Sequence, residues 1–185
     1  MSMSVKIMTF VVVTIALVWL SRRSILRVRL HGLYRLLGWE SIAVLVLLNL
    51  DYWFDNWLSF RQIVSWSLLA LSTYLVTHGV ITLHRSGMPS ELRTDVGLVG
   101  IEKTTELVTT GIYRHIRHPI YSSAVVGVWG VVLKDISAIS ASLALMSVLF
   151  FYLTAKMEER ENISYFGEEY QDYMRKTRMF IPFVF

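Results

Sequence analysis

The 185-residue chain has no cysteine, which rules out disulfides, thiolate nucleophiles and cysteine zinc sites. Proline occurs only at 89, 119 and 182, and no repeat or low-complexity tract interrupts the chain, so one compact domain over residues 1–185 is expected. Charge is also scarce. Asp, Glu, Lys and Arg make up 17% of residues, where soluble domains carry about a quarter. A G-x-G-x-x-G stretch is missing too, which argues against a soluble dinucleotide-binding module.

What the chain has in quantity is apolar surface. Hydrophobic residues make up 54% and mean hydropathy is +0.50, so lipid is the expected solvent. Trp and Tyr are plentiful, as they are where bilayer meets water. Five apolar segments stand out: Met3 to Leu20, Trp39 to Leu58, Ile63 to Leu83, Pro119 to Leu133 and Ile136 to Leu153. Each approaches the roughly 20 residues a helix needs to cross a bilayer core. Asp51 and Asp55 fall in the last turns of the second, which then must have reached headgroups or a polar cavity. Lys134 and Asp135 alone separate the fourth and fifth, predicting a tight helical hairpin.

Basic residues set the orientation. Residues 21–38, 84–118 and 154–185 hold five Lys or Arg each, and only Lys6, Arg61 and Lys134 lie elsewhere. That bias places the amino terminus outside and the carboxyl terminus in the cytoplasm, and it accounts for the net charge of +4 without nucleic acid. The first segment has no small-residue cleavage pattern and precedes an arginine cluster, so it reads as a retained span rather than a signal peptide. The expected fold is therefore an all-α, multi-pass integral membrane protein of five helices. Its setting is expected to be a prokaryotic inner membrane rather than endoplasmic reticulum. Residues 1–83 form a three-helix part with little that does chemistry, since the lone His78 beside Thr77 and Gly79 reads as a packing residue.

The polar, informative part is residues 84–185. The loop His84 to Arg117 is too long for a plain connection and is expected to be ordered, with glycines 87, 97, 100 and 111 as turns and apolar patches at Val96 to Ile101 and Leu107 to Val108. It ends in Gly111-Ile-Tyr-Arg-His-Ile-Arg-His-Pro-Ile-Tyr121. Pro119 suits the first turn of a helix, which puts His118 at its entrance beside Arg114 and Arg117. A helix amino terminus with such neighbours favours a carboxylate or phosphate, although the same cluster also fits plain anchoring to lipid headgroups. The fifth span runs on into Thr154-Ala-Lys-Met-Glu-Glu-Arg-Glu161, where Thr154 and Glu158 share a face. The hairpin brings Glu158 level with His118. One site then offers a carboxylate for an ammonium and a helix terminus for a carboxylate, the two ends of an amino acid. Small residues in the fourth span (Ser123, Gly127, Gly130) and the fifth (Ser137, Ser140, Ala141, Ala144) predict close packing. Glu168 to Lys176 has acids first and bases last, as a short helix prefers, with Tyr170 and Tyr173 on an interfacial face. Phe180 to Phe185 is expected to pack back toward the membrane.

Taken together, Leu107 to Tyr121, then Glu158-Glu159, Phe166-Gly-Glu-Glu-Tyr170 and Ile181-Pro182 resemble the isoprenylcysteine carboxyl methyltransferase family. The wider superfamily includes phospholipid N-methyltransferases and enzymes that methylate lipidic hydroxyls. The match covers roughly the last 80 residues. The resemblance implies S-adenosyl-L-methionine bound between the last two spans and the preceding loop, with S-adenosyl-L-homocysteine as product. Carried over by position, Thr105, Glu106, Leu107, Val108 and Tyr113 frame the cofactor, His118, Pro119, Ile120 and Tyr121 hold its amino-acid and ribose parts, and Glu158 takes the ammonium. Arg117, His118 and Glu159 are the catalytic candidates, with Arg117 and Thr154 toward the substrate. Thr154 stands where prenylcysteine-methylating relatives have an arginine for the substrate carboxylate. The implied reaction is O-methylation of a carboxylate on a prenylated or lipidic amphiphile. Methylation of a phospholipid amine or lipidic hydroxyl is the alternative. A carboxylate needs no base, and a phenol or enol would call on His115, His118 or Glu159. Expected partners are membrane lipids and a lipophilic small-molecule or protein substrate, with no metal and no nucleic acid. Membrane sterol reductases that use NADPH share an Arg-His-Pro-x-Tyr segment, but Ile120 and the paired glutamates favour methyl transfer; a non-enzymatic scaffold is the third reading.

Overall fold

The computed structural model describes residues 1–27, 29–87 and 104–182. It contains α1 (Met3–Arg27), α2 (Arg29–Asn49), α3 (Phe60–Ser86), α4 (Pro119–Val132), α5 (Ala138–Phe166) and α6 (Glu168–Lys176). Short 3-10 turns lie at Leu50–Tyr52 and Gly111–Arg114. No strand occurs among the described residues, only an isolated parallel bridge between Ile116 and Arg178.

Local chemistry marks most helix ends. The Ser59 side chain accepts a hydrogen bond from Gln62 N at the start of α3, and Ser137 does the same for Ser140 N in α5. Pro119 occupies the first turn of α4. Gly167, at φ +62°, ends α5 and opens α6, a conformation that costs a residue with a Cβ more. Acids Glu168 and Glu169 begin α6 and Arg175 and Lys176 finish it, as expected.

Among the described residues, four helices are long and apolar enough to cross a membrane: Met3–Arg22 within α1, His31–Tyr52 covering α2, Phe60–Ser86 and Ala138–Phe166. At 14 residues, α4 is about 21 Å long, short of a bilayer core of about 30 Å. Four spans are thus present by length and composition, and the fifth expected span corresponds to this shorter apolar helix.

The second expected span is displaced. It was placed over Trp39 to Leu58, yet α2 starts ten residues earlier at Arg29 and stops at Asn49. The arginine-rich stretch 21–38 is therefore mostly helix rather than loop. Arginine and leucine are good helix formers, and the charge that lowers local hydropathy does not break a helix. Asp51 and Asp55 lie beyond α2, and Asp51 pairs with Lys6 Nζ at 2.7 Å and the amino-terminal ammonium at 2.6 Å.

Packing runs α1 on α2, α2 on α5, α5 on α4 and α4 on α3. The small residues of α4 serve α3 more than the hairpin. A Cβ on Gly127 would stand 2.8 Å from Ser72 Oγ, and Ser65 Oγ donates to the Gly130 carbonyl at 2.7 Å. Ser140 of α5 instead accepts from Asn49 of α2 at 3.0 Å. Leu45, Val128, Val131, Val132 and Ala144 form one core cluster, and Tyr121, Ala124, Phe151, Ala155, Met179 and Phe180 another. Phe180 is buried in this second cluster, Ile181 and Pro182 are exposed, and Phe183 to Phe185, which complete the segment expected to pack toward the membrane, lie outside the described residues.

Candidate functional site

The site lies where the end of α5 meets the start of α4. Pro119 begins α4 and leaves His118 as its N-cap residue, with the imidazole buried. Glu158, two turns before the end of α5, reaches it: His118 Nδ1 lies 3.4 Å from Glu158 Oε2. The Tyr121 hydroxyl, one turn into α4, donates to Glu158 Oε1. His31 of α2 places Nε2 3.3 Å from the same oxygen. The hairpin does bring the acid and the helix entrance together.

His118, Tyr121 and Glu158 open onto one cavity of about 620 Å³, counting the part open to solvent. Its lining mixes His118, Glu158 and Asn162 with Leu83, Val108, Tyr113, Ile120, Phe166, Tyr170 and Tyr173. Tyr173 donates to the Tyr113 carbonyl at 2.6 Å and so fixes α6 to the 3-10 turn across the cavity. Burial raises the pKa of the Tyr170 and Tyr173 phenols, so both remain neutral donors. Burial opposes charge on His118, but the carboxylates of Glu158 and Glu159 outweigh it and raise its pKa.

Of the sequence-predicted cofactor residues, Leu107, Val108, Tyr113, His118, Pro119, Ile120, Tyr121 and Glu158 line this cavity. Thr105 and Glu106 do not. Their backbone N–H groups donate to the Gly87 carbonyl, at 3.0 and 3.4 Å, and close the neck of the long loop. Gly87 is required there, because a Cβ would meet Thr104 Cγ2 at 2.3 Å. The apolar patch Val96 to Ile101 lies outside the described residues.

The catalytic and substrate candidates fare differently. Arg117 reaches the cavity wall, but its Nε donates to Glu159 at 2.7 Å and its Nη1 to the Thr177 carbonyl at 2.7 Å. It ties the tail to α5, beside the bridge in which Arg117 N donates to Arg178 O. Glu159 is buried off the cavity, held by Arg117 and by Lys156 Nζ at 3.2 Å. Thr154 is also buried, and its hydroxyl donates to the Phe150 carbonyl. His115 and Arg114 are exposed. His78 faces outward against Tyr74.

Sequence reasoning missed His31, Leu83, Thr104, Asn162, Phe166, Tyr170 and Tyr173 at or beside this site. Phe166 and Tyr170 sat within a quoted motif without a role. Tyr170 and Tyr173 are buried and line the cavity. The acids-first pattern of α6 fixed its helicity but not its buried face. Nothing local marked His31, whose partner is 127 positions away.

Comparison with known proteins identifies relatives of the chain. Methanethiol S-methyltransferase 1 of Bradyrhizobium diazoefficiens is 29% identical over 119 residues, covering 63% of this chain and 38% of its own length. The nickel-cobalt-cadmium resistance protein of Alcaligenes xylosoxydans xylosoxydans is 28% identical over 148 residues, 78% of this chain and 62% of the relative. A probable protein-S-isoprenylcysteine O-methyltransferase of Oryza sativa subsp. indica is 27% identical over 137 residues, 72% of this chain and 64% of the relative. The chain therefore spans less than two thirds of the length of each of these relatives. The family model for phospholipid methyltransferase matches residues 60–169, more than half of the sequence and all of α3, α4 and α5. The chain belongs to the phospholipid methyltransferase family, a group of membrane methyltransferases to which the isoprenylcysteine-type enzymes are related.

Proposed function

We propose that the cavity binds S-adenosyl-L-methionine and that the protein methylates a lipophilic acceptor at the membrane interface. The observation that carries this is the shared wall: Glu158 and His118, at the entrance of α4, face one cavity 3.4 Å apart. Glu158 suits an ammonium, and the first N–H groups of α4 suit a carboxylate. His118 itself is held between two carboxylates, Nδ1 at 3.4 Å from Glu158 and the buried Nε2 at 3.8 Å from Glu159, which fixes its ring at the entrance of α4.

When bound, S-adenosyl-L-methionine supplies an activated methyl group on a sulfonium. The chain's own part is to bind and orient. Glu158 and His118 would fix the charged end, while Leu83, Val108, Tyr113 and Phe166 exclude water along the apolar length. Orientation of this kind contributes on the order of 7 to 11 kcal/mol in favourable cases. Glu159, locked by Arg117 and Lys156 off the cavity, is badly placed to serve as a base.

The acceptor we favour is a neutral nucleophile on a lipophilic body: a thiol, amine or hydroxyl. Arg117 directs Nε and Nη1 to Glu159 and Thr177, and Thr154 donates to Phe150, so this arrangement does not aim the two expected carboxylate contacts at a substrate. The relatives named for methanethiol fit the same reading. The carboxylate of an isoprenylcysteine is the second reading, supported by the rice relative. We also propose that α4 completes a five-helix arrangement with the amino terminus outside and the site on the cytoplasmic side, as the arginine distribution favours. The bacterial relatives favour a prokaryotic inner membrane.

The test is incubation of the protein in lipid with methyl-labelled S-adenosyl-L-methionine, a total lipid extract, a small thiol and a prenylcysteine. Label in a thioether, amine or ether product is the expected result. Label confined to methyl ester shifts the acceptor to a carboxylate, and no transfer to any of them contradicts the proposal.

A further inference from the structure

The matched family region begins at residue 60, yet one contact to Glu158 comes from outside it. His31, in the first turn of α2, is fully buried and sits between two carboxylates of α5. Its Nε2 lies 3.3 Å from Glu158 Oε1 and its Nδ1 3.3 Å from Glu161 Oε1. An imidazole is not taken out of water without such partners, because an uncompensated buried polar group is costly. The placement is lopsided in a useful way. Tyr121 and His118 approach Glu158 from the start of α4, and His31 approaches it from α2. A glutamate side chain has three rotatable bonds, and fixing them costs entropy at the moment of binding unless neighbours have already done so.

We propose that His31 is a positioning residue that holds the Glu158 carboxylate against the cavity, so that α2 is part of the ligand site and not only an anchor. The inference rests on the proposed role of Glu158 toward an ammonium. His31 does not line the cavity and acts only through Glu158. The donor that matters is Nε2. A glutamine amide reaches the place of Nε2, whereas an asparagine amide reaches only that of Nδ1, toward Glu161.

Calorimetric titration of S-adenosyl-L-homocysteine into detergent-solubilised protein separates these roles, with melting temperature read on the same samples. His31→Ala and His31→Asn are expected to weaken binding about tenfold, the order of one hydrogen bond to a charged group. His31→Gln is expected to stay within about threefold of the unmodified protein. Should His31→Ala fail to fold, the contrast between Gln and Asn decides. Wild-type affinity in His31→Ala, or equal weakening by Gln and Asn, overturns the inference while leaving the cofactor site in place. Absence of binding by the unmodified protein overturns the proposed function and this inference together.

Discussion

The two ends of the bundle both bury charge, and they do so in opposite ways. At the end where α4 begins and α5 finishes, Glu158, Glu159 and Glu161 meet His31, Arg117 and His118, and Arg117, His118 and Glu158 of this cluster line an open cavity. At the other end, the hairpin turn buries Lys134 completely with no carboxylate partner among the described residues. Its ammonium donates to Gln62 Oε1 at 2.9 Å and lies 3.6 Å from the centre of the Trp66 ring and 5.4 Å from that of Trp53. Gln62 in turn donates to the carbonyls of Tyr52 and Asp55. An amide and two indole faces satisfy one cation and leave no room for a ligand. The acidic end keeps several charges in mutual reach of a cavity, an arrangement that an incoming zwitterion can enter by exchange of partners.

That contrast separates binding from stability. The largest effect is expected from Glu158→Ala, which should weaken S-adenosyl-L-homocysteine binding by about 3 to 5 kcal/mol, a hundredfold or more, as deletion from a buried ionic cluster does. Calorimetry checks it. Lys134→Ala should cost about 2 to 4 kcal/mol of stability in denaturant titration and leave ligand affinity unchanged, because its cage is at the far end. If Lys134→Ala weakens binding as much as stability, the two ends are coupled and the comparison fails. Arg117→Lys is expected to cost about 1 to 3 kcal/mol, since an ammonium cannot reach Glu159 and the Thr177 carbonyl with one planar fork. Released tail contacts should appear as faster proteolysis after Met174.

The smallest effects are on pH dependence, and their signs differ between the ends. His118 has a raised pKa, so its pairing contributes fully below the ordinary value of 6.5 and is lost as pH rises through its folded-state pKa. Lys134 has a lowered pKa, from burial and then from nearby Arg61. Its charged form is disfavoured in the folded state, so stability rises as pH climbs from the folded-state value toward 10.5. Melting temperature against pH should shift by a few degrees in each window. His118→Gln should flatten only the falling limb, and Lys134→Met only the rising one.

Much of the acidic end was legible in the sequence because its partners are encoded by short spacings. Pro119 announces the helix start, Lys134-Asp135 announces the hairpin, and together they force Glu158 toward His118. The family resemblance added residue roles that spacing alone does not carry. Helix α2 was misplaced because hydropathy reads arginine as loop, although Arg35 is buried within a helix. His31 and the Lys134 cage depend on pairings across 127 and 72 positions, and a single sequence offers no signal for contacts at that range. The small residues of α4 were recognised as packing residues, but their partner, α3 rather than α5, is a tertiary choice.

The central claim is that Glu158 receives the ammonium of the methyl donor. A double-mutant cycle tests it most directly, with S-adenosyl-L-homocysteine and its analogue lacking the α-amino group each titrated into the unmodified protein and Glu158→Ala. The expected result is a coupling of about 3 to 5 kcal/mol, the whole loss predicted for Glu158→Ala, with the analogue indifferent to the substitution. Equal losses for both ligands, with no coupling, would place the ammonium elsewhere.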